Sequence, residues 1–149
     1  MLEKVKEAIT AASASSSIYV GGDSIRFKKH GKWYARYATV VIIHIDSSRG
    51  GKIFHFADVQ PDYGNMKVRL QTEVMYTVNL AMELLEVIGE RHMEVHLDLN
   101  SSPKHKSHSS VQEALGYVRG MIPGVDVRIK PEAFCASHAA DHCVRGKPH

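Results

Sequence analysis

"SIYVGGDS", residues 17–24, poses the question on which the fold turns. Ile18, Tyr19 and Val20 are β-branched or aromatic and read as a short strand. Two glycines follow, and then Asp23. An ionised acid where a buried strand runs out needs a reason, because a carboxylate leaves water at high cost unless something neutralises it.

The sequence around this stretch supplies a frame. Leu2, Val5, Ile9 and Ala12 recur at helical spacing, which predicts a short helix at about residues 2–12. "WYARYATVVIIHI", residues 33–45, reads as a long strand, with "KHGK" before it as a hairpin turn. "DSSRGGK" is a second turn, and "KIFHFADV", residues 52–59, a third strand. Links this short imply antiparallel pairing, since parallel strands need a crossover of about a dozen residues. "QPDYGN" breaks the pattern, and residues 66–89 read as a long helix. "MEVHLDL", residues 93–99, is a fourth strand, residues 110–121 a helix and "VDVRIK", residues 125–130, a fifth strand. The tail from Pro131 reads as helical to about Val144.

Helical crossovers join parallel strands with right-handed connections. The expectation is an α/β fold spanning residues 1–149 as one domain. Its mixed five-stranded sheet has three antiparallel strands, then two parallel strands, with helices alongside. Sites in such sheets lie beyond the carboxyl ends of the strands, which is where Asp23 is placed. The adjoining glycines leave room for a substrate backbone or a water to approach.

Composition narrows the class. Of 149 residues, 44% are hydrophobic and 23% charged, as in ordinary globular proteins. No apolar run reaches the roughly 18 residues of a membrane span, and the charged N-terminus is unlike a secretory signal. The expected location is the cytoplasm, with no membrane partner. Two cysteines make no disulfide framework. A net charge of +3 and a pI near 8.9 favour an anionic partner.

Three further acids stand out. Asp98 closes the fourth strand, so parallel neighbours would bring it beside Asp23. Glu73 lies three residues after Leu70 and eleven before Leu84, on the apolar side of the long helix. An acid there needs a partner, either Arg69 or Arg91 or a cation shared with the two aspartates. Glu83, Glu86 and Glu90 lie on another face and read as solvated. Asp141 sits in "CASHAADHC" and by itself reads as a surface acid beside His138 or Arg145. His96 shares a face with Asp98 and reads as a core histidine.

"GGDS", "RLQTE", "EVHLDLN" and "KPEAFCASHAADHC" together resemble the YkuK-like family of ribonuclease H-related proteins over roughly residues 18–145. The resemblance implies a ribonuclease H-like fold and a nuclease whose catalytic, metal-holding acids map onto Asp23, Glu73, Asp98 and Asp141. Carboxylates are hard ligands suited to Mg²⁺ or Mn²⁺. The implied activity is endonucleolytic hydrolysis of phosphodiester bonds by two such ions about 3.5–4 Å apart, with Asp23 bridging them. The implied partner is nucleic acid: RNA, RNA–DNA hybrid or DNA. Expected substrate contacts are Ser24, Lys104, Lys106 and His138. Two other readings stand beside this one. One is a ribonuclease H fold that binds nucleic acid without cutting it. The other is a structural zinc site at Cys135, His138, His142 and Cys143, weakened because one short helix rarely supplies four tetrahedral ligands.

Overall fold

The computed structural model describes residues 1–47, 50–100 and 108–130. Helix α1 (Leu2–Ala11) leads into strands β1 (Ser17–Lys29), β2 (Lys32–His44) and β3 (Gly51–Pro61). Helix α2 (Met66–Ile88), strand β4 (His92–Asn100), helix α3 (His108–Met121) and strand β5 (Asp126–Lys130) complete them. The sheet order is β3-β2-β1-β4-β5. The first three strands pair antiparallel, and β4 and β5 join parallel to β1 and to each other. This is the mixed five-stranded sheet expected from the sequence. The helix expected after Pro131 lies outside the described residues.

The core occupies one face of the sheet. Ile18, Val20, Val41, Ile43, Met93, Val95, Leu97 and Leu99 share one alternation and meet Val5 and Ile9 of α1. Val74, Val78, Ala81, Leu84 and Ile88 of α2 join them, as do Val111, Ala114 and Val118 of α3. All three described helices thus cover this face. Asn65 starts α2 by accepting the Val68 amide at 3.1 Å on its side-chain oxygen, filling one of the donors that a helix leaves open.

One expectation is corrected. Strand β1 does not end at Asp23 but runs six residues further, to Lys29. Asp23 pairs with Ala38, Ile25 with Arg36 and Phe27 with Tyr34, so β2 carries the strand on. The hairpin closes through His30 and Gly31, at φ 52° and 77°. Two positive φ values in a two-residue turn match the twist of the flanking strands, and the glycine removes the strain from one of them. What does stop at the acid is the pairing with β4. Its ladder with β1 ends at Gly22↔Leu97, so Asp23 and Asp98 are the next residues out.

The role of Gly22 is also corrected. The group that approaches it is helix α2. A Cβ on Gly22 would lie 2.5 Å from Thr77 Oγ1 and 3.2 Å from the Ala38 carbonyl. Thr77 Oγ1 is itself tied to the Glu73 carbonyl at 2.9 Å. Glycine therefore lets α2 rest directly on the β1 backbone one residue before Asp23. Gly22→Ala is expected to cost about 1–3 kcal/mol by overpacking. Removing the obstructing hydroxyl in Gly22→Ala/Thr77→Ala should recover at least half of that loss. Denaturant melts of the four members of the cycle test it, and strict additivity would show that the two positions do not collide.

Candidate functional site

The site forms where three elements converge: β1 at Asp23, β4 at Asp98 and α2 at Glu73. Strand alternation turns Gly22 toward α2 and Asp23 away from it. Ser24 bridges the two acids. Its backbone N–H donates to Asp23 Oδ1 at 2.8 Å, and its side chain hydrogen-bonds Glu73. The Ser24 hydroxyl, expected on substrate, is thus engaged in holding Glu73.

Glu73 carries the electrostatic signature of the site. Burial pushes its carboxyl well above the usual carboxylate range, and the Asp23 charge adds to this. The Ser24 hydrogen bond pulls the other way, Asp98 raises it further and Arg69 lowers it. The rises win. Of the two arginines weighed as partners, Arg91 is committed elsewhere. It donates to the carbonyls of Thr10, Ala12, Val87 and Ile88, locking the end of α2 to α1. Arg69 reaches Asp62 at 3.9 Å. Glu83 and Glu86 are solvated as expected, with Lys6 of α1 between them.

Asp23 and Asp98 both add to the proton affinity of buried Glu73, so no salt bridge within the trio stabilises its charge. Asp141, Lys104, Lys106 and His138 lie outside the described residues, as do Cys135, His142 and Cys143.

A second cluster sits at the opposite ends of the parallel strands. Among the described residues, one trio has ligand atoms all within 4.8 Å: His92, Glu94 and Asp126. Asp23, Glu73 and Asp98 are not drawn together that tightly. Glu94 lies four residues before Asp98 on β4, about 13 Å away along the strand. This trio already has a cation beside it. Arg128 grips Asp126 at 2.9 and 3.0 Å and holds its carboxyl below the usual range. His92 and His96 each meet Glu94 at 2.9 Å. A guanidinium therefore stands where an added cation would. His96 is 4% exposed, which agrees with the core reading.

The sequence profile of a family described as Ribonuclease H-like matches residues 1–145. No curated protein matches the sequence. Among solved structures, the chain is similar to LC9-RNase H1, described as a type 1 RNase H with the type 2 active-site motif. The identity is 12%, the alignment covers 89% of this chain and 73% of that one, and the TM-score is 0.42. It is also similar to Endonuclease_V from Bacillus subtilis, at 11% identity, 71% and 46% coverage and a TM-score of 0.38. Both likenesses are loose and carry no argument about chemistry.

The raised carboxyl of Glu73 makes stability depend on pH. The folded state keeps this proton to a higher pH than the unfolded chain does. Its stabilising share is complete below the ordinary value of 4.5 and is lost as pH rises toward the folded value. Melts of metal-free protein between about pH 4 and 8 should therefore show a decline that Glu73→Gln removes. The steepest slope due to this group is about 1.4 kcal/mol per pH unit. Identical pH profiles for the two proteins would refute the assignment.

Proposed function

Because the chain belongs to the ribonuclease H-like family, we propose that it is a metal-dependent nuclease. It cuts phosphodiester bonds within nucleic acid, with RNA or RNA–DNA hybrid foremost as substrate and DNA as the alternative. The observation that carries the reading is the position of Glu73. This chain buries an acid there, against the charges of Asp23 and Asp98.

Asp23, Glu73 and Asp98 are the residues that would hold Mg²⁺ or Mn²⁺, with Asp141 as the fourth acid that the motif implies. When bound, such ions supply Lewis-acid activation of the phosphodiester and of the attacking water. The chain's own residues do the positioning. The Ser24 amide holds one oxygen of Asp23 in place. The close seat of α2 on Gly22 fixes how far Glu73 reaches. Burial and the charges of Asp23 and Asp98 favour the protonated form of Glu73, and a cation held beside it would favour the ionised form. Metal affinity should therefore rise with pH across the window in which Glu73 titrates.

Labelled RNA, DNA and hybrid substrates, incubated with Mg²⁺, with Mn²⁺ and with EDTA, test the activity. Cleavage is expected in the metals alone, at internal positions. Asp23→Asn should lower it by about 100-fold or more, since even residues that only orient metal ligands cost 10–100-fold. Full activity in EDTA would exclude the mechanism. Tight binding without cleavage in either metal would favour the inactive binding module instead.

A substrate-free test reads the same site. In EDTA, Asp98→Asn relieves repulsion while keeping shape, so it should melt above wild type. It should then gain less from added Mg²⁺, because a ligand is lost. Equal metal-induced shifts in the two proteins would count against a metal at Asp98.

A further inference from the structure

The extension of β1 past Asp23 builds a feature that the acids do not use. Residues 26–36, "RFKKHGKWYAR", carry Arg26, Lys28, Lys29, Lys32 and Arg36 and no acid. They form the outer end of the β1–β2 hairpin. Strand β4 has already left at Gly22↔Leu97, and β3 reaches only Tyr34↔Pro61. The tip is a two-stranded arm.

Its chemistry is organised by face. Ser24, Arg26 and Lys28 alternate onto the α2 side of the sheet, in line with Gly22. Lys28 pairs across the hairpin with Trp33, and Arg26 with Ala35. The Arg26 guanidinium lies 4.4 Å from the centre of the Trp33 ring, and Lys28 Nζ lies 5.9 Å from it. Arg26 is braced from below by Asp62, whose own backbone N–H donates to the Trp33 carbonyl at 3.0 Å. The indole is thus held in place and still 44% exposed. Among the described residues no carboxylate lies within ion-pair distance of Lys28, Lys29 or Lys32. The feature is the combination: a braced, exposed ring face within a run of five cations and no acid, which complements a chain of bases and phosphates.

We propose that this arm is a binding surface for an unpaired stretch of nucleic acid. A base stacks on Trp33, Lys28 on the same face takes an adjoining phosphate, and Lys29 and Lys32, paired on the opposite face beside the turn, take phosphates where the strand rounds the tip. The proposal rests on the nuclease reading for its ligand class, and it adds a surface and a strandedness. Stacking requires a free base face. A base inside a duplex has both faces covered, whereas every unpaired base offers one. Lys28 lies five residues beyond Asp23 on the same strand, about 17 Å away. The arm would therefore grip the strand at a set distance from the acids, on the side where Ser24 and Glu73 meet.

Trp33 is the only tryptophan in the chain, so its fluorescence reports the arm directly. The test titrates Asp23→Asn protein in Mg²⁺ with a fluorescently labelled 12-nucleotide oligouridylate and with a 12-base-pair blunt duplex, reading label anisotropy and tryptophan emission. Emission should fall to a plateau with the single strand and stay unchanged with the duplex. Trp33→Ala should weaken single-strand binding by about 5- to 150-fold, with Trp33→Phe in between. Lys28→Ala/Lys29→Ala/Lys32→Ala should lower the log–log salt slope by about two, at roughly 0.7 per phosphate contact. These side chains are exposed, and thermal melts verify that the variants fold.

Binding with unchanged emission and unchanged affinity in Trp33→Ala would overturn the arm while leaving the nuclease reading intact. Equal quenching by the duplex would overturn the preference for unpaired strands. Quenching by the single strand together with no cleavage by wild type in any metal would uphold the arm and overturn the nuclease. No binding to either probe would overturn the arm, and cleavage assays on wild type would then decide the nuclease separately.

Discussion

The approach of helix α2 to strand β1 at Gly22 is the constraint on which the site depends. A side chain there would meet Thr77 Oγ1 at 2.5 Å. With none, α2 settles onto the strand, and Thr77 ties its hydroxyl back to the Glu73 carbonyl. The same contact that closes the core sets the reach of Glu73. Packing and electrostatics are coupled here: the helix cannot bury Val74 and Val78 against the sheet without carrying Glu73 toward Asp23 and Asp98. Burial and like charges then act together on one carboxyl, which is destabilising in the apo protein and favourable to a cation.

The sheet contributes a second device at the same level. Its parallel ladder stops at Gly22↔Leu97, while its antiparallel ladder continues to Lys29↔Lys32. Asp23 therefore sits at a fork. On one side β4 ends with Asp98, and on the other the hairpin carries cations and an indole outward. A strand is stiff over this length, so negative and positive regions are held at a set separation. Asp23 and the cations of the arm are carried on a single element. The ion-paired group of His92, Glu94, Asp126 and Arg128 contrasts with this arrangement. There Arg128 grips Asp126, and two imidazoles meet Glu94.

Much of the architecture was legible in the residues. Alternating β-branched and aromatic runs identified all five strands, and short polar links made the first three antiparallel. The 3.6-residue period identified the helices and put Glu73 on the apolar side of α2. These features are local, and local sequence carries them. The end of β1 was not legible in this way. "GGDS" looks like a stop because glycines and an aspartate are poor strand formers. What carries the strand through is pairing with β2, from Ala38 to Lys32, and pairing is a property of two segments.

The sequence by itself determined the strand and helix order, the polarity of each link and the presence of three acids at positions where acids are costly. Only the tertiary structure decided what those acids face. Glu73 and Asp23 are fifty residues apart, and nothing local to either specifies their approach. It is specified by Gly22, whose missing Cβ admits Thr77, and by the register that leaves Asp98 one step beyond the last ladder pair. The Trp33 arm has the same origin. Its cations and aromatics are visible in "RFKKHGKWYAR", but that Arg26, Lys28 and Trp33 share one face with Ser24 follows from hairpin register and strand alternation. Distances between side chains depend on how backbones pack, and packing is settled by excluded volume across the whole core.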